Sequence, residues 1–239
     1  MAIETFEVEF DGRCLRGDHW QPEAARASAL ILHGGGCSSA NGQAPFREFL
    51  FAQGIATTAF DFIGHGKSDG TLIGSSLAER SAAVDAVIAA QHLQPDTMAL
   101  IGFSMGGHVA ALAAQRHRFA ALGLVIAAAY SSSAAELKFG PDFAAAIRKP
   151  QSWQDSDAFA AVATYRGRLQ IVSAGADAVV PAEIQQRYFD AAGQCASRHH
   201  EIVVGSPHDL GKHFAQAPQD QTRAYGLLAK LAIGAIIPI

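Results

Sequence analysis

The sequence contains little cysteine and little excess charge of either sign. Only three of its 239 residues are cysteines, Cys14, Cys37 and Cys195, and their wide spacing matches no metal-binding pattern. We interpret them as reduced thiols of a cytoplasmic protein. The formal net charge is −4 and no long basic block is present, so there is no electrostatic case for nucleic acid as a partner.

Long apolar segments are lacking as well. The longest stretch rich in apolar residues is the tail LLAKLAIGAIIPI (227–239), which contains Lys230 and is shorter than the about 20 apolar residues of a membrane-spanning helix. We interpret the tail as a packed terminal helix or a contact between two copies, so a homodimer is permitted but not required. The opening MAIETFEVEF (1–10) has acidic residues where a secretory signal carries basic ones. We therefore expect a cytoplasmic protein without a membrane partner.

Short apolar runs alternate with segments of helical spacing along most of the chain. A hairpin signal centred on Asp11-Gly12 comes first. Strand–helix alternation after it predicts a mostly parallel, twisted α/β sheet with helices on both faces. Because no internal repeat or low-complexity linker is present, we predict one domain over 1–239. The runs that are apolar on both faces, as strands inside a parallel sheet must be, lie at 29–33, 55–60, 98–103, 122–129, 169–175 and 201–204.

One connection, from Ser131 to Arg168, is much longer than the others and lacks a convincing strand. A long connection in a compact domain is usually functional or disordered, and its aromatic content disfavours disorder. We predict a small helical cap at about 131–168, over the carboxyl ends of the strands, where ligands bind in such sheets. The alternative is an insert whose aromatic residues only pack. The aromatic residues expected to contact substrate from this cap are Phe139, Phe143, Trp153 and Tyr165.

The segment ALIGFSMGGHVA (99–110) carries the strongest chemical signal. Gly102-Phe103-Ser104-Met105-Gly106 fits the pattern G-x-S-x-G, with a strand before it and a helix after it. In that setting the serine backbone is strained so that Oγ projects from the sheet, and side chains in place of the two glycines would collide with neighbouring backbone. A phosphate-binding loop would instead need Lys-Ser or Lys-Thr after its last glycine, where this chain has Gly107-His108-Val109.

A serine nucleophile needs a histidine to take its proton and a carboxylate to orient that histidine. Asp177 follows the apolar strand pattern LQIVSAG, and His208 follows EIVV and a Gly-Ser-Pro turn. Both therefore lie at carboxyl ends of strands, in the order serine, acid, histidine that α/β-hydrolases use. We predict that Ser104, Asp177 and His208 form a catalytic triad.

Other histidines and acidic residues fit this role worse, and no metal site is expected. His108 lies on the helix after the serine, which runs away from the rim of strand ends. His199 and His200 face opposite sides of a strand, so they cannot chelate one ion. His213 follows His208 by five residues, whereas two metal ligands on one face of a helix are four residues apart. The remaining acidic candidates are Asp209, pointing away from the base, and Asp155 and Asp157 in the predicted cap.

An oxyanion hole requires two backbone N–H donors. One is expected from Met105, the residue after the nucleophile. The other is expected from the loop His33-Gly34-Gly35-Gly36, whose glycines let the backbone approach a tetrahedral intermediate closely. We favour Gly35 as the donor, with Gly36 as the second candidate and a substrate contact. A plain flexible turn is the alternative.

From the strand before His33 to the helix after His208, the sequence resembles the α/β-hydrolase superfamily. The segments HGGG, GIATTAFDFIGHGKSDG and GFSMGG are similar to those of the branch that contains serine esterases, monoacylglycerol lipases and serine-aminopeptidase-like enzymes. DFIGHGKSDG is especially similar to bacterial feruloyl and cinnamoyl esterases. The resemblance implies the α/β-hydrolase fold, the same three triad residues and the amides of Gly35 and Met105 as oxyanion hole.

We therefore expect a carboxylesterase-like serine hydrolase that cleaves short-chain or aryl carboxylic esters through an acyl-enzyme intermediate. Its partner is a small-molecule ester, and it needs no metal or organic cofactor. Thioester hydrolysis and amide or peptide cleavage remain alternatives; for the latter, Glu136 and Asp142 are candidate contacts to an amine. A ligand-binding member of the fold without catalysis is disfavoured because all parts of the site are present.

Overall fold

The computed structural model describes residues 2–234. Its strands are β1 (Ala2–Phe10), β2 (Arg13–Gln21), β3 (Ala27–Leu32), β4 (Ile55–Phe60), β5 (Ala99–Phe103), β6 (Ala121–Val125), β7 (Arg168–Ala174) and β8 (Ser197–Val203). They form one sheet in the order β1-β2-β4-β3-β5-β6-β7-β8. β2 runs antiparallel to both of its neighbours, and β3 to β8 are parallel to one another.

Helices cover both faces of this sheet. They are α1 (Ala44–Ala52), α2 (Leu77–Ala90), α3 (Met105–His117), α4 (Pro141–Ile147), α5 (Asp157–Thr164), α6 (Ala182–Ala191), α7 (Leu210–Phe214) and α8 (Pro218–Ile233). Buried residues of α2, α3, α5 and α6 form one hydrophobic core, and those of α1, α7 and α8 form the other. The central strands are apolar on both sides because they supply both cores: in β3, Leu30 faces the first core and Ile31 the second.

The strand and hairpin predictions are confirmed, with most boundaries within two residues and two boundaries shifted by four. Asp11 and Gly12 both have positive φ, 52° and 68°, as a tight hairpin turn requires. β6 ends at Val125, four residues before the predicted end, because Ile126 has φ 44° and turns the chain out of the sheet. β8 begins at Ser197, four residues before its predicted start. It pairs with β7 alone, and an edge strand tolerates the polar residues that concealed its beginning.

The long connection between β6 and β7 divides into two parts. Its first part, with α4, packs as a small separate cluster around Leu77, Ala134, Phe139 and Phe143. Its second part, α5, belongs to the main core and packs against α3. α5 is the crossover helix that carries the chain from β6 back to β7. The cap expected at about 131–168 remains a prediction, for which the part with α4 is the segment that packs apart from the main core.

The apolar tail is a helix as far as the structure describes it. Leu228 and Leu231 of α8 are buried in the second core, and Gly234 ends the helix with φ 83°. The rest of the tail, 235–239, lies outside the described residues. None of the helices within 2–234 is long and apolar enough to cross a membrane.

A buried histidine in α3 makes stability depend on pH. His108 is 3% exposed, contacts the ring of Tyr130 edge-on, and has no hydrogen-bond partner for Nδ1. Burial lowers its pKa to about 4, so as the pH falls below about 6.5 the unfolded chain takes up this proton before the folded one does. Stability is therefore retained above pH 6.5 and lost as the pH falls towards 4.

We expect the free energy of unfolding to fall by about 2 kcal/mol between pH 7 and pH 5 through His108 alone. His108→Leu should remove that part of the pH dependence. Urea unfolding of both proteins at the two pH values measures the difference. An equally steep loss in the variant would show that His108 is not the group responsible.

Candidate active site

The elbow places Ser104 at the carboxyl end of a central strand. β5 ends at Phe103, α3 begins at Met105, and Ser104 between them has φ 51° and ψ −116°. This is a strained conformation for a residue with a side chain. Hydrogen bonds hold it: the Ser104 N–H donates to the carbonyl of Val125 at 2.9 Å, and the Ser104 carbonyl accepts from Gly107 N–H at 2.9 Å. The serine hydroxyl is thereby lifted from the plane of the sheet.

Glycines beside the elbow allow β3, β5 and α3 to meet backbone to backbone. A Cβ on Gly102 would lie 2.3 Å from the Gly106 carbonyl oxygen, and one on Gly106 would lie 2.4 Å from the His33 carbonyl oxygen. No side chain fits at these distances, because both obstacles are main-chain atoms. The predicted collisions at 102 and 106 are confirmed.

Three side chains from separate loops form a continuous hydrogen-bonded chain. His208 Nε2 lies 3.1 Å from Ser104 Oγ, and His208 Nδ1 lies 2.7 Å from Asp177 Oδ2. With Nδ1–H donating to the carboxylate, Nε2 is left as the acceptor for the serine hydroxyl. The distances are those of a nucleophile, a base and an orienting acid.

Asp177 is fixed in place by its own loop. Its other oxygen, Oδ1, accepts from the N–H groups of Val179 and Val180 at 2.8 and 2.9 Å, and its side chain is only 6% exposed. The loop is also tied to the one that carries His208, because Ala176 N–H donates to the carbonyl of Ser206 at 2.8 Å. The two loops after β7 and β8 therefore present acid and histidine as one unit.

The two predicted oxyanion donors lie next to each other. A Cβ on Gly35 would contact the Met105 side chain, 3.1 Å from Cε. In the part of the chain that the structure describes, neither the Gly35 nor the Met105 N–H donates to a protein acceptor. Both are thus available to a ligand beside Ser104. Gly36 has φ 62°, and a Cβ there would meet nothing within 4 Å, so it faces open space and is not among the residues that line the cleft described below.

A buried polar network supports the glycine loop from behind. His33 Nδ1 donates to the Gly34 carbonyl at 2.8 Å, and His33 Nε2 accepts from Phe62 N–H at 3.1 Å. His65 Nδ1 donates to the Ser38 carbonyl at 2.9 Å. Burial is the main cause that lowers the pKa of both histidines, with a smaller effect from the Arg80 charge. Both rings are therefore neutral at neutral pH, as these hydrogen bonds require.

Sequence reasoning missed the arginine in this network. Asp61 and His65 lie in the segment DFIGHGKSDG, which carried only a family resemblance, and Arg80 lies in α2 without any motif. Asp61 accepts from Ala40 N–H at 2.7 Å and from Lys67 N–H at 2.8 Å, which shapes the loops on either side. Only the folded chain brings Arg80 against Gly34.

A cleft of about 540 Å³ opens at Ser104 and His208. It extends to the flank of the molecule formed by α1, α7 and α8. Its apolar wall consists of Pro45, Phe103, Ile126, Leu210, Phe214 and Tyr225, and its polar side chains include Ser38, Gln43 and Gln221.

The aromatic residues predicted to contact substrate are not among those that line this cleft, and their contact with substrate remains a prediction. Phe139 and Phe143 are buried against each other and against Met105 in the small cluster of the connection. Trp153 packs on Phe159. The Tyr165 hydroxyl donates to the Phe119 carbonyl at 2.9 Å, at the amino-terminal edge of the sheet and far from Ser104. In this structure these side chains pack within the protein.

Within residues 2–234, the cysteines and acidic residues form neither a disulfide bond nor a metal site. Cys14, Cys37 and Cys195 make no disulfide bonds. Among residues 2–234, no group of three or more histidine, cysteine, aspartate or glutamate side chains is arranged to hold a metal ion.

The fold is similar to that of several solved hydrolases. A putative hydrolase from Agrobacterium vitis S4 has a TM-score of 0.72 and 21% identity, with 97% of this chain and 100% of that chain covered. Est1E from Butyrivibrio proteoclasticus, solved with ferulic acid bound, has a TM-score of 0.71 and 19% identity, covering 95% and 98%. The esterase EaEST from Exiguobacterium antarcticum has a TM-score of 0.71 and 17% identity, covering 94% and 98%.

Sequence comparison identifies the family. No curated protein sequence matches the chain. The family model described as serine aminopeptidase, S33 (Hydrolase_4) matches residues 23–154, which is more than half of the chain and includes the glycine loop and the elbow. The chain therefore belongs to this family of the α/β-hydrolase superfamily.

Proposed function

We propose that this protein is a serine hydrolase that cleaves carboxylic esters through an acyl-enzyme intermediate. The observation that carries the proposal is the hydrogen-bonded chain from Ser104 Oγ through His208 to Asp177. It starts at a strained elbow and lies beside two unpaired amides at the opening of a cleft. Each component that acyl transfer requires is present at a workable distance.

In the first half-reaction the serine becomes acylated. His208 Nε2 takes the hydroxyl proton as Ser104 Oγ attacks the ester carbonyl carbon. The Gly35 and Met105 N–H groups donate to the oxyanion that forms. Asp177 keeps Nδ1 protonated and stabilises the imidazolium. When the tetrahedral intermediate collapses, the C–O bond to the alcohol breaks and His208 returns the proton to the departing alkoxide.

The second half-reaction repeats these steps with water. His208 Nε2 removes a proton from the water molecule that attacks the acyl carbonyl, and the same two amides hold the oxyanion. Ser104 Oγ then leaves as the acid product forms, and regains its proton from His208. The proton that His208 takes from water is the one that Ser104 regains, so no further proton donor is needed.

The cleft supports small or aryl groups as the preferred acyl part. Its wall combines aromatic and aliphatic side chains with two glutamines at 43 and 221. The aromatic residues of the connection between β6 and β7 pack against other side chains and are not among the residues that line the cleft, which supports a short acyl chain over a long one. We therefore propose a small-molecule ester with a short or aromatic acyl group as the substrate of a cytoplasmic enzyme.

Amide cleavage is the second candidate, since the matching family is described as serine aminopeptidase. Against it, Glu136 and Asp142, the two acidic residues considered as amine contacts, are not among the residues that line the cleft. Among the residues that line the cleft, Asp209 is the remaining carboxylate that could bind an amine. It already accepts from Lys212 N–H at 3.0 Å as a helix cap.

A matched substrate series tests the proposal. We expect p-nitrophenyl acetate and butyrate to be hydrolysed at least about 10-fold faster, in kcat/KM, than the laurate and palmitate esters. A butyryl thioester and butyryl p-nitroanilide compare leaving groups on one acyl chain. Fluorophosphonate should inactivate the enzyme, and peptide mapping should place the adduct on Ser104. Faster cleavage of the anilide or of the long-chain esters would contradict the assigned substrate class; an adduct elsewhere would contradict the assigned nucleophile.

A further inference from the structure

We propose that Arg80 is a positioning residue that orients and polarises the Gly34–Gly35 peptide group, whose N–H is one of the two oxyanion donors. This inference rests on the proposed serine hydrolase function. It concerns a side chain that lies behind the glycine loop, belongs to α2 and does not touch the substrate.

Arg80 is a buried cation without a carboxylate partner. The residue is 2% exposed, and its guanidinium lies between two aromatic rings, 4.7 Å from the centroid of Phe62 and 5.2 Å from that of Phe139. Its Nε is buried without a hydrogen-bond partner, and among the described residues no carboxylate lies within ion-pair distance. Burial lowers the pKa of Arg80 to about 10, so the group stays charged at neutral pH.

Burying an unpaired charge is expensive, and fold stability alone explains it poorly. A buried arginine usually has a carboxylate partner, and even a buried ion pair can often be replaced by apolar residues with little loss of stability. Arg47 in α1 shows the usual solution within the same chain: it is 1% exposed, lies over the ring of Trp20, and forms an ion pair with Asp18. At Arg80 the hydrogen bonds go instead to the loop of the candidate active site.

The first of these bonds is to the peptide group that matters for the chemistry. Arg80 Nη1 donates to the Gly34 carbonyl oxygen at 3.1 Å, and His33 Nδ1 donates to the same oxygen at 2.8 Å. The Gly34 carbonyl and the Gly35 N–H belong to one planar trans peptide, so fixing the oxygen on one side directs the N–H to the other. A charged donor on the oxygen also makes the N–H a stronger donor, because hydrogen bonds in a chain polarise one another.

The second bond fixes the far end of the same loop. Arg80 Nη2 donates to His65 Nε2, and His65 Nδ1 donates to the Ser38 carbonyl. The loop closes on itself where Ser38 N–H donates to the Gly35 carbonyl at 3.2 Å. One guanidinium therefore holds both ends of the segment 34–38, one directly and the other through His65, while the Gly35 N–H has no protein acceptor among the described residues.

Three variants test this role. Arg80→Met keeps bulk and removes charge and donors, Arg80→Lys keeps the charge but can hold only one end of the loop, and Arg80→Ala opens a cavity. Arg47→Met is the matched control, since it removes an equally buried arginine that does not contact the loop. For each we would measure folding by circular dichroism, kcat and KM on p-nitrophenyl butyrate, and the inhibition constant of an alkyl trifluoromethyl ketone, whose adduct with Ser104 carries an oxyanion.

We expect Arg80→Met to lower kcat by about 10- to 100-fold, less than the about 10²- to 10³-fold that loss of a whole donor costs, with KM within about 2-fold of wild type. The inhibition constant should rise in proportion, because a contact made in the transition state is lost. Arg80→Lys should lie between Met and wild type, and added guanidinium should restore part of the activity of Arg80→Ala. Arg47→Met should keep its kcat.

Two results would overturn the proposal. If folded Arg80→Met or Arg80→Lys retains wild-type kcat and inhibitor affinity, Arg80 has only a structural role. If Arg47→Met loses kcat to the same degree, the effect is general to buried arginines. Should Arg80→Met not fold, the Lys and Ala variants decide. Failure of the proposed function is seen separately, as a wild-type enzyme that neither turns over esters nor reacts with fluorophosphonate; the proposal for Arg80 then falls with it.

Discussion

Ser104→Ala should lower kcat for ester hydrolysis by about 10⁶-fold, to the limit set by contaminating or uncatalysed reaction. The elbow would remain, since alanine is smaller than serine and the strained backbone is held by its own hydrogen bonds. What is lost is the atom that attacks the carbonyl, and His208 without it has no proton to take. Burst-phase and steady-state kinetics on p-nitrophenyl butyrate measure the effect, and fluorophosphonate labelling should vanish with it.

The chain offers a matched control for this variant. Ser173 Oγ lies 2.8 Å from His200 Nε2, a shorter serine–histidine distance than in the candidate site. Ser173 sits inside β7, however, and has neither a strained backbone nor a helix N-terminus after it to supply an amide. Ser173→Ala should therefore keep kcat within about 2-fold of wild type. If Ser104→Ala retained activity and Ser173→Ala lost it, the nucleophile would have been assigned to the wrong residue.

Asp177→Asn should lower kcat by about 10⁴-fold while the fold and KM change little. An amide of the same shape can donate to His208 Nδ1, which turns that nitrogen into an acceptor and places the proton on Nε2. The nitrogen facing Ser104 then can no longer accept the hydroxyl proton. The N–H groups of Val179 and Val180 still have an oxygen to donate to, so the loop should keep its shape.

The control here is a second aspartate–histidine pair outside the site. Asp220 Oδ2 lies 2.9 Å from His213 Nε2, and Asp220→Asn should leave kcat unchanged. The measurement is the pH dependence of kcat for both variants, together with urea unfolding. A loss of less than about 10-fold in Asp177→Asn would mean that His208 is oriented by something other than this carboxylate.

The positions of the three residues of the proposed triad could be predicted because topology decides them. In a parallel sheet every strand delivers its next loop to the same edge, so a residue just after a strand reaches the site whatever its distance along the chain. Ser104, Asp177 and His208 each follow such a strand, β5, β7 and β8. The order of these residues and the apolar runs before them were therefore sufficient.

The lining of the cleft could not be predicted, since it depends on which side chains pack and which stay free. Tyr165 and Phe143 are both aromatic residues of the connection between β6 and β7, and the sequence does not distinguish their roles. Tyr165 packs at the amino-terminal edge of the sheet, whereas Phe143 packs in the small cluster with α4. The cleft is built instead from Phe103 beside the nucleophile and from Phe214 and Tyr225 of the last two helices. No periodic pattern marks these three as a set, because each comes from a different element.

Arg80 shows a further limit of sequence reasoning. Its spacing in α2 is that of a core position, which an apolar residue normally occupies, and a single arginine there carries no motif. Only the contact with the Gly34 carbonyl reveals why a charge is kept at that depth.

The strands that carry the candidate site residues also differ in their resistance to local unfolding. Ser104 follows β5, a strand paired on both sides, whereas His208 follows β8, which pairs with β7 alone and leaves Ile202 and Val204 exposed. Edge strands open by local unfolding at a smaller free-energy cost than the centre of a sheet. Such an opening would separate base from nucleophile while both cores stay intact. In the proposed enzyme, catalytic competence therefore depends on the edge strand β8, and we expect it to be lost under milder conditions than those that unfold both cores.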